Sequence, residues 1–340
     1  MKAVKFGKSE VSSPKKLFSS EAIYETSIAV AYPMKFLLLA ASILAFGLQH
    51  LGPRNSNTHS ETHTNSVKLP FYRITHAGSR DTSYLFGTLH LLESSYVDTL
   101  PRVMKALHRA DIVIGELVMD SIMGDAGGLT SDALTGLFDA PPLDSLLSKS
   151  QYREVSEAVK KYSPVPMMML NRAEPVIIYA MIFEGMYARQ HPENQTTGIP
   201  MDLFFQQEAS KHGTTVMGLE QASDQEQALD SIPIKEQTEE LLDLARHPNT
   251  TMHEMDEMLT DYRAGRISEI LDDPGFGSFS PEEMSSLLYN RNKKWLDTLP
   301  AILDHHNAFI AVGAGHLAGK QGLVEQLRKR GFDVAWVRTK

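Results

Sequence analysis

The sequence predicts an α/β fold: a mostly parallel mixed sheet, flanked by helices and carrying a helical insertion at about residues 130–300. Three observations predict it. Short strand-like segments are nearly continuous in apolar residues, as strands covered on both faces are. Stretches with apolar residues at helical spacing separate most of them, the pattern of strands joined by crossover helices. Two of the strand-like segments run directly into Gly-x-x-His, which puts polar chemistry where strands of open α/β sheets leave the sheet.

The elements follow in order. FYRITH (71–76) and TSYLFG (82–87) flank Ala77-Gly78-Ser79-Arg80-Asp81 and read as a hairpin. Leu100, Val103, Met104 and Leu107 lie at helical spacing within a helix at 98–109. DIVIGEL (111–117) is a short apolar strand, and Gly124, Gly127 and Gly128 mark a loop after it. Helices are expected at 151–162, 174–190, 200–212, 223–230, 234–246, 250–264 and 281–299, with one strand, TTVMGL (214–219), among them. Strand AFIAVG (308–313), helix 320–330 and strand FDVAWV (332–337) close the chain. The helical stretch 130–300 is expected to cap the sheet within a single domain at 69–340. Met167-Met168-Met169 reads as adaptable core packing rather than a cofactor box.

The N-terminal part reads differently. Residues 1–50 are expected to be an extension plus a signal peptide or uncleaved anchor, and 51–68 a disordered linker. The apolar run LLLAASILAFGL (37–48) follows Met34-Lys35-Phe36 and is shorter than the roughly 20 residues of a membrane-spanning helix. Met34 is expected to be the true start. Either reading places the body outside the cytoplasm, periplasmic or extracellular, or tethered to the membrane through this segment alone.

Composition narrows the chemistry. With 42% hydrophobic and 22% charged residues, the 340-residue chain has ample material for a core. A formal net charge of −9 argues against a nucleic-acid partner, which requires a clustered basic surface. The chain has no cysteine, so thiol nucleophiles, iron–sulfur clusters and Cys-ligated zinc are excluded. A metal would have to be held by His, Asp and Glu.

Four polar groups sit just past strand ends: His90, Glu116, Glu220 and His316. Taken singly, each reads more readily as a structural residue at a strand–helix turn. The paired spacing, Gly87 to His90 and Gly313 to His316 with Gly315 between, favours a shared site, because glycine permits a sharp turn and close backbone approach. Two imidazoles and a carboxylate suit a divalent metal with positions left open for water. VGAGHLAG has the look of a dinucleotide-binding turn, but its glycine spacing is one residue off and too little βαβ chain follows it. His305-His306 are expected to be solvated, and His59 and His63 belong to the linker. His253-Glu254 lacks the second His of a zincin. Neither a Gly-x-Ser-x-Gly elbow nor a Walker loop occurs.

TSYLFGTLHLL, DIVIGEL, GIPMDLFFQQEASKHGTTVMGLEQASDQ, YNRNKKW and FIAVGAGHLAGKQGLVEQLRKRGFDV, in that order, resemble the successive blocks of the TraB/GumN family over about residues 71–338. That family also contains the Tiki-type proteases of animals. The resemblance implies an α/β fold likened to erythromycin esterases and the haem-binding ChaN proteins. It also implies a metal-dependent peptidase preferring manganese or cobalt, acting on a peptide or protein substrate near the cell envelope; zinc is a further candidate from the donor types alone. His90 and His316 would be metal ligands, with Glu116 a third ligand or the base that activates water. Arg291 would stabilise charge developing on the attacked carbonyl oxygen, and Asn292 would orient substrate or Arg291. Asp202 and Glu220 fall in the middle block and are expected to touch the substrate or support the ligands. The segment 120–195 departs most from the family pattern, which leaves the substrate open. The rival reading is a non-catalytic module on the same fold that holds haem, iron or a peptide, or sequesters a peptide signal.

Overall fold

A computed structural model describes residues 67–76, 82–92, 94–118, 139–192, 199–266 and 281–340. The expected N-terminal segments up to residue 66, the hairpin turn 77–81 and the glycine loop after 118 lie outside the described residues.

Six strands form one sheet: β1 (Phe71–Thr75), β2 (Ser83–Thr88), β3 (Ile112–Gly115), β4 (Thr215–Gly218), β5 (Ala308–Gly313) and β6 (Asp333–Trp336). Their spatial order is β4-β3-β5-β2-β1-β6. All pairings from β4 across to β2 are parallel, and β1 alone runs against its neighbours. The expected mostly parallel mixed sheet is thus present.

The two central strands explain the continuous apolar runs. Every residue of β3 and β5 is buried, because helices cover both faces of the sheet. Side chains alternate between two cores. Phe86, Val113 and Phe309 join the larger one, with the helices α1 (Pro101–Leu107), α2 (Lys149–Tyr162), α3 (Pro175–Gln190), α4 (Met201–Lys211), α5 (Ala222–Asp230), α6 (Ile234–Arg246) and α7 (Pro248–Arg263). Leu85, Ile114 and Ile310 join the smaller one, with α8 (Asn290–Trp295), α9 (Leu299–Leu303) and α10 (Leu323–Lys329). The helices are therefore divided between the faces of the sheet. The most buried of them, α3, is apolar almost all round, as a helix enclosed by others must be.

Local sequence sets several boundaries. Ser148 and Gln151 form a capping box that opens α2. Prolines open α1, α3, α7 and α9, where the missing N–H costs nothing. The helix expected at 281–299 is instead a short turn at Pro281–Met284, a π-helical segment at Ser285–Tyr289, and α8, after which the chain restarts as α9. The methionine run also departs from expectation. Met167 packs against the core, but Met168 is 85% and Met169 49% exposed, because their short helix presents that side outward. None of the helices among the described residues is long and apolar enough to cross a membrane.

Candidate functional site

Strand register brings the site together. β2 and β5 are in register with Thr88 opposite Gly313, so their two Gly-x-x-His exits leave the sheet side by side. β3 and β4 pair with Gly115 opposite Gly218, which sets Glu116 beside Glu220 at the same edge. His90, Glu116, Glu220 and His316 are all buried there. This edge is the carboxyl end of the parallel strands, the usual place for ligands in such sheets.

Arg291, on α8, joins the two carboxylates. Its Nε donates to Glu220 Oε2 at 3.0 Å, and its Nη2 donates to Glu220 Oε1 and Glu116 Oε2, both at 2.5 Å. Nη1 donates to the Leu287 carbonyl, in the π-helical segment, at 2.9 Å. Trp295 Nε1 and Gln225 Nε2 also donate to Glu220, at 3.0 and 2.9 Å. Arg291 therefore clamps the carboxylates, and most of its N–H groups are committed.

Glu116 keeps one oxygen on the other side. Its Oε1 accepts from the Gly313 N–H at 2.8 Å and lies 3.7 Å from His316 Nε2. Burial pushes the Glu116 pKa up, but Arg291, followed by His316, His90 and the Gly313 amide, brings it down to about 2. Glu116 is ionised throughout the physiological range.

Both histidines have one ring nitrogen tied down. Asn292 Nδ2 donates to the carbonyls of His316 and Gln321, at 3.0 and 3.1 Å, which orients its amide. The Asn292 Oδ1 then accepts from His316 Nδ1 at 2.7 Å, leaving the lone pair on Nε2. Burial, reinforced by Arg291, lowers the His316 pKa to about 3, so the ring is neutral. Its face packs on Trp295, ring centroids 4.3 Å apart. His90 Nδ1 lies 2.6 Å from Asp202 Oδ2, and Thr88 Oγ1 donates to the other oxygen of Asp202. His90 Nε2 is buried and has no hydrogen-bond partner. Asn292 thus orients His316, and Asp202 orients His90.

Gly87 acts by packing rather than by a special torsion. None of Gly87, Gly313 and Gly315 is among the positive-φ glycines, and Gly313 has φ −50° and ψ 136°, open to any residue. The expected sharp-turn role is corrected to this extent. At Gly87 the close approach is present: a Cβ would lie 2.9 Å from Pro70 Cγ and 3.0 Å from Ala314 Cα. Tyr262 donates its hydroxyl to the Gly87 carbonyl at 2.5 Å, fixing the same turn from the helical side.

The donor set fits a divalent ion. Two imidazole Nε2 atoms and Glu116 Oε1 are available, and each imidazole is oriented through its Nδ1 as metal-binding histidines are. Glu116 and Glu220 share the Arg291 guanidinium while Asp202 meets His90, so a cation would also offset buried negative charge. As they stand these three atoms do not close to ligand spacing. Among the described residues, the group whose ligand atoms lie within 4.8 Å of one another is a different one: His108, Glu208 and His212.

Sequence reasoning missed Trp295, Gln225, Thr88 and Tyr262. Thr88, Gln225 and Trp295 lie inside the motif blocks, and Trp295 follows Arg291 by one helical turn; Tyr262 carries no local signal.

Fold and site together define an α/β protein with a buried histidine–carboxylate centre at the carboxyl edge of its parallel strands. The model of the TraB/PrgY/gumN family matches residues 70–335, and the chain belongs to that family. It is similar to Metalloprotease TIKI2 of Danio rerio, 23% identical over 306 residues that cover 74% of this chain. The match covers 58% of that relative, so the chain spans less than two thirds of its length. No solved structure matches the chain.

Proposed function

We propose that the chain is a metal-dependent hydrolase acting on peptide bonds, exported or tethered outside the cytoplasm by the apolar segment 37–48. The observation that carries it is the buried, unpartnered His90 Nε2, because a buried polar atom left unsatisfied costs about 1–3 kcal/mol unless something binds it. His90, His316 and Glu116 would hold the ion, with manganese or cobalt suggested by family and zinc compatible with the donors. A bound divalent ion would polarise a substrate carbonyl and make a bound water acidic.

The protein's own part is orientation and charge. Asp202 and Asn292 hold the two imidazoles with Nε2 exposed to the site. Arg291 and Gln225 occupy Glu116 Oε2, which leaves Oε1 as the ligand atom and favours the ligand role over the base role. Glu220 holds Arg291 in place and is itself held by Trp295.

The test is metal content of the purified chain with cleavage of an unbiased peptide mixture, with and without chelator. Chelator-sensitive cleavage, lost in His316→Ala, is the expected result. Metal binding without any cleavage would move the reading to a binding module. Manganese, cobalt or zinc affinity unchanged in His316→Ala would remove the metal assignment itself.

A further inference from the structure

Away from the buried centre, the end of α1 meets the end of α4. His108 caps α1, and Glu208 and His212 stand one turn apart on the last turn of α4. His108 Nε2 lies 3.1 Å from Glu208 Oε1, and His212 Nδ1 lies 3.7 Å from the same oxygen. Donors held at about 2.0–2.2 Å around one tetrahedral ion stand about 3.3–3.6 Å apart. One ligand atom from each of the three side chains lies within 4.8 Å of the others, so small side-chain adjustments and loss of the imidazole protons toward the ion would bring them to ligand spacing.

We propose that His108, Glu208 and His212 form a second, solvent-facing site for a borderline divalent transition ion such as zinc. The donor chemistry favours that class. Two imidazoles with one carboxylate suit zinc, cobalt, nickel or copper, whereas calcium and magnesium prefer all-oxygen sets. The imidazole side chains are 43% and 55% exposed, so an ion can enter from solvent and keep water in its remaining position. The Glu208 Oε2 lies toward Lys211 at 3.5 Å, leaving Oε1 to the histidines. His212 Nδ1 is also 2.9 Å from the Glu208 carbonyl, a contact that a bound ion would replace.

The site has a structural consequence. α1 leads into β3, whose end carries Glu116, and the first turn of α4 carries Asp202, the partner of His90. An ion at the far ends of α1 and α4 would staple together the two elements that position the buried centre. It would stabilise the native state in proportion to its occupancy, since the unfolded chain does not hold these ligands together.

The experiment is zinc titration of the chelator-stripped full chain by calorimetry, for wild type, His108→Ala, His212→Ala and His316→Ala, with folding checked by circular dichroism. All of the first pair's side chains are surface groups, so those variants should fold. The expected result is that His108→Ala and His212→Ala each bind one equivalent of zinc fewer than wild type, and that zinc raises their melting temperature less. Wild-type stoichiometry retained in either variant overturns the site. Loss confined to His108→Ala and His212→Ala, with His316→Ala unchanged, supports this site and shows that the buried centre does not take zinc; the reverse defeats this site alone.

Discussion

Asn292 and His316 hold each other by reciprocal contacts: the amide nitrogen donates to the His316 carbonyl at 3.0 Å, and the amide oxygen accepts from the ring Nδ1 at 2.7 Å. One residue therefore fixes both the backbone turn and the tautomer that leaves Nε2 free. Removing such a partner of a metal-binding histidine typically costs 10–100-fold in affinity. Asn292→Ala is accordingly expected to weaken manganese, cobalt or zinc binding at the buried centre by about that factor. Metal titration of the variant checks this, and an unchanged affinity would show that His316 needs no orientation.

Arg291 is expected to matter first for stability. It is buried between Glu116 and Glu220, and removing it leaves two carboxylates facing each other without a counter-charge. Breaking a buried ion pair from one side costs about 3–5 kcal/mol. Urea unfolding of Arg291→Ala should show a loss of that order, whereas a purely transition-state role predicts slower turnover with stability intact.

Gly87→Ala tests packing at the β2 exit. The added methyl would press on Pro70, Ala314 and Leu317 at 2.9–3.1 Å, two of them in the turn that presents His316. Overpacking of this kind costs about 1–3 kcal/mol. A lower denaturation midpoint with weaker metal binding is expected, and neither change would mean that the turn yields freely.

Glu184 and Glu240 should give stability a contribution that falls as pH rises through the weakly acidic range, opposite in sign to that of His316, whose pKa is lowered from 6.5 to about 3. Burial raises Glu184 from 4.5 to about 7, and burial with Asp243, Glu283, Glu239 and Glu236 raises Glu240 to about 7. The folded state then holds protons that the unfolded chain has released, so the contribution is fully present below pH 4.5 and is lost as pH rises toward about 7. Glu184→Gln should flatten that part of the profile. Denaturant midpoints at several pH values between those limits provide the measurement, and a slope identical to wild type would exclude Glu184 as its source.

Much of this was legible in one dimension. All six strands appear where strand-like segments stand; β3 and β5 are apolar throughout because both faces of the sheet are covered there, while β1, β4 and β6 are only partly buried. The family blocks name His90, Glu116, Asp202, Glu220, Arg291, Asn292 and His316, and the structure places every one of them in the same buried cluster. Their partners were not legible. Asp202 meets His90 across 112 residues and Arg291 meets Glu116 across 175, and no local pattern specifies a contact at that separation.

The sequence by itself determined the strand and helix types, the residues at the strand exits, and the exclusion of thiol chemistry. Those follow from side-chain periodicity and residue identity, which need no partner. Only the tertiary structure decided that Arg291 faces two carboxylates rather than solvent, that Asn292 serves His316, and that His108 stands beside Glu208 and His212. Each of those depends on which strand pairs with which and in what register, and register moves a side chain from one face or neighbour to another without changing a single residue.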